Sequence, residues 1–104
     1  MAMQCSEIED GKVLRVEGSP DIYDAAVLHE TLKQFLEAHS SMILDLSAIE
    51  SCDITALQLL CAARRSAENT GKLFAVRSFS PGLVQAATGL GLTQEQIGLG
   101  VAEL

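Results

Sequence analysis

His29, His39, Asp45, Asp53 and the cysteines Cys5, Cys52 and Cys61 are the residues of this 104-residue chain whose types could carry chemistry. The two histidines lie ten residues apart on different turns of one expected helix, which gives no paired site. Each reads as a solvated or half-buried helix residue. Asp45 and Asp53 would suit a metal or an acid–base pair, but no third ligand stands near them. Burial with a hydrogen-bonded partner accounts for Asp45, and capping of a helix accounts for Asp53. An odd count of cysteines without Cys-x-x-Cys spacing predicts reduced, mostly buried thiols, with neither a disulfide framework nor a zinc site.

Sequences that cradle phosphate or activate a serine are missing too. Gly71-Lys72 has Ser66 where a phosphate loop needs glycine, and Leu73 where it needs Ser or Thr. Gly89-Leu90-Gly91 closes a helix instead of opening one. No G-x-S-x-G elbow occurs. No catalytic residue, cofactor or metal is therefore expected. The chain reads as something other than an enzyme.

The elements that must position any site follow from patterning. Gln4–Glu9 and Lys12–Glu17 alternate around Asp10-Gly11, the signal of a hairpin. Asp21 then caps a helix over residues 22–38, with an apolar stripe of Ile22, Ala25, Ala26, Leu28, Leu32, Phe35 and Leu36. Residues 42–46 form an apolar run of the kind found in a strand buried on both faces. A second helix spans residues 54–69 and stops at Thr70-Gly71. Residues 73–76 predict a strand, and Ser80-Pro81 opens a third helix ending near Thr88-Gly89. The tail is Gly-rich, with residues 97–101 a candidate edge strand.

The order β-β-α-β-α-β-α predicts an α/β fold with right-handed crossovers and a mixed sheet of four to five strands. Residues 1–104 read as one small domain with three to four helices. Hydrophobic residues make up 48% and aromatics 4%, so its core must be aliphatic.

Charge narrows the partners. The formal net charge is −7. Residues 1–53 hold eleven of the fourteen acids and three of the seven bases, a formal −8, against +1 for residues 54–104. Acid on this scale argues against nucleic acid and against an anionic membrane surface. No apolar run approaches the ~18 residues that span a bilayer, and the start lacks a signal-peptide pattern. Direct membrane insertion is not expected, and the composition predicts a cytoplasmic protein.

One segment carries more. Leu44-Asp45-Leu46-Ser47, Asp53, Ala56-Leu57-Gln58-Leu59-Leu60, Gly71-Lys72-Leu73, Ser80-Pro81 and Thr88-Gly89-Leu90 resemble, in order and spacing, the STAS family. That family comprises anti-sigma factor antagonists and domains of sulfate transporters. The resemblance covers about half the chain closely and the rest loosely. It implies a working surface at the loop before the second helix and that helix's first turns. It also implies a protein partner: an anti-sigma kinase, a chemotaxis or two-component protein, or the ATPase of a lipid-transport ABC complex. Nucleotide or lipid binding is the alternative that the family offers.

In phosphorylated members, the residue after the aspartate is Ser or Thr. Here it is Ile54, which has no hydroxyl, so the usual phospho-switch is not expected. Thr55 is the substitute acceptor, one residue further into the helix and about 100° away in direction. Asp53, Ile54, Thr55, Gln58, Cys61 and Arg65 are the expected partner-binding residues. Ile54, Gln58, Cys61 and Arg65 share one helical face by spacing. Ala56, Leu57, Leu60, Ala63 and Ala67 take the core face.

Overall fold

The computed structural model describes residues 3–51, 53–89 and 91. Four strands form one sheet in the order β1-β2-β3-β4. β1 (Gln4–Ile8) pairs antiparallel with β2 (Val13–Gly18), and β2, β3 (Ser41–Ile49) and β4 (Leu73–Phe79) run parallel. The helices are α1 (Ala25–Ala38), α2 (Ile54–Asn69) and α3 (Pro81–Gly89). The chain is thus a small α/β domain with a mixed sheet, in the element order that the patterning predicts. The candidate strand over residues 97–101 lies outside the described residues.

The hairpin loop is wider than a two-residue turn. Ile8 faces Val13, leaving Glu9 to Lys12 as four connecting residues. Glu9, Asp10 and Gly11 have φ of 53°, 61° and 80°. Asp tolerates the left-handed region and Gly favours it, so Asp10-Gly11 does drive the reversal, with Glu9 drawn in beside them.

Alternation sets the sheet's two faces. Leu14 and Val16 of β2, Met42, Leu44 and Leu46 of β3, and Phe74 and Val76 of β4 join the core with Leu28, Leu32 and Phe35 of α1 and Leu57 and Leu60 of α2. On β3, residues 42–46 are buried except for the half-buried Ile43, so the apolar run is covered on both faces, and Ser47 just beyond it is exposed. The register shift opposite Leu44 and Asp45 leaves Arg77 of β4 as the extra residue, and Asp45 is buried on the face opposite Leu44 and Leu46, against Ser47 and Arg77. Asp45 is then the polar member of an otherwise apolar run.

Helix ends obey local chemistry. Ser80 Oγ accepts from the Leu83 amide at 3.1 Å, capping α3. At the end of α2, Lys72 N donates to the Ala67 carbonyl (2.8 Å) and Gly71 N to that of Glu68 (3.2 Å), with Gly71 at φ 73°. This reciprocal closure needs a left-handed residue, which Gly supplies without strain.

The start of the first helix departs from expectation. Ile22–Asp24 form a single 3-10 turn before α1. Asp21 accepts from Tyr23 N (2.9 Å), and Asp24 accepts in return from Asp21 N (3.2 Å). Three residues per turn instead of 3.6 slip the phase of the stripe. Leu28, Leu32 and Phe35 are buried as predicted, Ala25 and Leu36 are half-buried, but Ile22 and Ala26 are exposed.

α3 approaches β3 through Gly82. A Cβ there would meet the Glu50 carbonyl oxygen at 2.0 Å and its carbon at 2.9 Å, contacts with backbone that cannot swing aside. Gly82→Ala is therefore expected to destabilise the fold by about 1–3 kcal/mol through overpacking. Urea unfolding should show a lower midpoint with an unchanged slope; a variant as stable as the parent would mean that α3 shifts freely.

Candidate functional site at the mouth of the second helix

The loop from Glu50 to Asp53 delivers the chain from β3 into α2. It is held from one side by backbone: Glu50 N donates to Gly18 O (2.8 Å) and Asp53 N to Pro20 O (3.4 Å). Those bonds bring the Pro20–Asp24 turn beside the first residues of α2. Asp53 has extended backbone, and its Oδ1 accepts from Ala56 N at 3.1 Å. It is the N-cap that its sequence position predicts, a role contributing about 1 kcal/mol.

Ile54 occupies the first helical position and is 50% exposed. Thr55 is half-buried and Ala56 and Leu57 are buried. Further along, Gln58 and Arg65 are exposed and Cys61 half-buried. The face of Ile54, Gln58, Cys61 and Arg65 thus reaches the surface, while Ala56, Leu57, Leu60, Ala63 and Ala67 all enter the core. Burial pushes the Cys61 thiol up, against the opposing pull of Arg65 and Arg64. Burial, with Asp24 adding to it, does the same to Cys5. Both are free thiols, held in the protonated form that is poor as nucleophile or metal ligand.

The larger part of the surface was invisible to the helical stripe. Tyr23 is 90% exposed, Ile22 62% and Val27 60%. Ile22 and Tyr23 lie in the 3-10 turn and Val27 in the first turn of α1 that follows it. Together with Ile54 they account for four of the six large exposed apolar side chains among the described residues. Residues 18–27 and 49–57 contain Asp21, Asp24, Glu50 and Asp53 and no Lys or Arg. The mouth of α2 is an apolar patch in an acidic frame. The signal that marks it in the sequence is Asp21-Ile22-Tyr23-Asp24 itself: a reciprocal cap places the two apolar residues between its aspartates in the first turn, where side chains face outward.

The remaining titratable groups have structural work. His39 Nδ1 lies 2.9 Å from the Phe35 carbonyl oxygen, and its ring stacks on that of Phe35 at 4.1 Å. His29 is exposed. Asp45 does not join Asp53: its Oδ1 accepts from Ser47 N (3.0 Å) and Ser47 Oγ (2.7 Å), and Arg77 Nη2 stands 3.7 Å from Oδ2. Arg77 also pairs with Glu9 across the sheet. No group of three or more metal-ligating side chains exists among the described residues.

Burial raises the Asp45 carboxyl, but the two Ser47 bonds and the charges of Arg15 and Arg77 outweigh it and hold it below the usual value. A carboxylate depressed in the folded state stabilises above its unfolded pKa and loses that contribution as pH falls through its folded value. Asp45→Asn should cost about 2 kcal/mol near neutrality, the scale of hydrogen bonds to a buried charge. The gap between parent and variant in urea unfolding should close below about pH 4; a gap independent of pH would rule out the charge as its source.

Against known proteins, a family model described as Mlab, STAS domain matches residues 3–100. Among solved structures, an anti-sigma factor antagonist from Mycobacterium paratuberculosis superposes with a TM-score of 0.72 at 19% identity, over 86% of this chain and 79% of that one. The anti-sigma factor antagonist SpoIIAA in its unphosphorylated form gives 0.66 at 17%, over 88% and 82%. RsbS from Moorella thermoacetica gives 0.62 at 20%, over 94% and 92%. At such identities the likeness is one of fold, and with the family match across nearly the whole length it fixes the lineage: the chain belongs to the STAS domain family.

Proposed function

We propose that this STAS domain is a non-catalytic regulator that acts in the cytoplasm by docking another protein on the mouth of α2. Asp53, Ile54, Thr55, Gln58, Cys61 and Arg65 form the helix side of that surface, and Ile22, Tyr23 and Val27 form the loop side. The observation that carries the reading is the exposure of Ile54 at the first helical position, next to the exposed Tyr23 turn. Large apolar side chains grouped in a polar frame are how protein-binding patches differ from ordinary surface. Two of the solved structures of the same fold are named as anti-sigma factor antagonists, which supports a partner of the anti-sigma kinase kind.

The acidic frame adds a constraint. The acidic residues Asp21, Asp24 and Glu50 favour a partner that offers an apolar hollow rimmed by Arg or Lys. A helix N-terminus would welcome a phosphate, through its unpaired amides and the positive end of its dipole. Ile54 has nothing to phosphorylate. Thr55, half-buried, is the weaker acceptor, so docking in this chain is proposed to be constitutive.

A second reading draws on the same residue. A subunit that stays bound needs no switch, and a permanent apolar contact suits Ile54 better than a hydroxyl does. That favours attachment to the ATPase of a lipid-transport ABC complex over a kinase, and the family model described as Mlab agrees with it. The identity of the bound protein separates the two.

Affinity capture from the source cells, with the partner identified by mass spectrometry and its affinity then measured in purified form, tests both. Ile54→Asp, and separately Tyr23→Ala, should each weaken binding at least tenfold with an unchanged melting temperature, and the intact mass of the cellular protein should lack phosphate. Binding unaffected by both substitutions would place the docking surface elsewhere. Stoichiometric phosphate on Thr55 would replace the constitutive mode with a switched one.

A further inference from the structure

A hollow of about 420 Å³ lies between α1 and α2. Leu32 and Leu36 of α1 and Leu59 and Ala62 of α2 give it apolar walls. Leu36, Leu59 and Ala62 are half-buried, so part of that apolar surface meets water. A water takes roughly 30 Å³ of liquid, so the hollow has room for large side chains.

Its charge is unlike that of the rest of the molecule. In a chain of net charge −7, two of the seven bases, Lys33 and Lys72, line this hollow against the single carboxylate of Glu37. Neither lysine forms an ion pair among the described residues. Lys33 is exposed, and Lys72 Nζ donates to the Leu36 carbonyl. The mouth of α2 offers the reverse: Ile22 and Tyr23, both exposed, stand between Asp21 and Asp24. An apolar hollow rimmed by lysine is the counterpart that such a patch calls for, and the chain carries one itself.

Patch and hollow do not share a helical face. At about 100° per residue, Val27 lies about 140° round α1 from Leu32, and Ile54 about 140° round α2 from Leu59. We infer that a second copy of the chain occupies the hollow, with its Ile22-Tyr23 turn against Leu36 and Leu59 and its Asp21 and Asp24 facing Lys33 and Lys72. The contact is heterologous, patch on hollow, and brings opposite charges together where patch on patch would bring like charges. The net charge of −7 on each copy opposes their approach. That repulsion is screened beyond roughly 8 Å at physiological salt, whereas partly buried pairs in contact are screened much less. The inference rests on the docking patch proposed above and adds a regulation to it. A copy whose patch is engaged cannot dock another protein, so self-association holds the regulator in reserve.

Sedimentation velocity of the full chain alone, over a concentration series, tests this. The parent is expected to show a mass that rises with concentration. Lys33→Glu and Tyr23→Ala, both at exposed positions, should each weaken association at least tenfold with an unchanged melting temperature. Mixed in equal amounts, the two variants should associate again and stop at one copy of each, because the intact patch of the first fits the intact hollow of the second. A parent that stays monomeric throughout, a Lys33→Glu variant that associates like the parent, or a mixture no better than either variant alone would overturn the assignment. Each of those results leaves docking of another protein at α2 standing, since that reading fails only in the affinity measured against the captured partner.

Discussion

α3 comes so close to the Glu50 carbonyl at Gly82 that no side chain fits there, and the proposed working surface depends on this approach. Glu50 is where β3 hands over to the loop before α2, and its own amide is bound to Gly18 on the other side. The loop is thus clamped between α3 and the end of β2. Asp53 then adds a third tie through Pro20. With its backbone fixed at three points, the loop presents the first turn of α2 at a set height and angle, and the Tyr23 turn beside it. A surface meant to fit another protein gains from such rigidity, because little conformational freedom is left to lose on binding.

The architecture was largely legible because its signals were local and mutually consistent. Asp10-Gly11, Ser80-Pro81 and Thr70-Gly71 each encode a backbone geometry in one or two residues, and each sits where an element turns, opens or closes. The core face of α2 followed from spacing alone, since Ala56, Leu57, Leu60, Ala63 and Ala67 repeat with the helix. What failed was continuity. Extending one helical period back to Ile22 assumed an unbroken helix, whereas the paired aspartates Asp21 and Asp24 wind a tighter turn that rotates Ile22 and Tyr23 outward. The Gly82 approach was also unreadable, because nothing in a sequence says which backbone will lie against a glycine.

The candidate site divides in the same way. Its helix side, Asp53 to Arg65, could be placed from a motif and a period. Its loop side could not, since the proximity of Pro20 to Asp53 arises only when the crossover folds β2 and β3 into register. Asp45 was legible in part. A carboxylate inside an apolar strand implied burial with a hydrogen-bonded partner, which Ser47 two residues on supplies, while Arg77 from the next strand could not be read from the sequence.

The carboxylates framing the exposed patch have an effect on the protein's relations with itself. Ile22, Tyr23, Val27 and Ile54 left bare would draw two molecules face to face, as greasy surfaces do. Bringing two such faces together would double the ring of Asp21, Asp24, Glu50 and Asp53 within a screening length of roughly 8 Å at physiological salt, a repulsion that homotypic pairing cannot relieve. The frame proposed to favour a basic partner would by the same charges work against face-to-face pairing with a second copy of the chain.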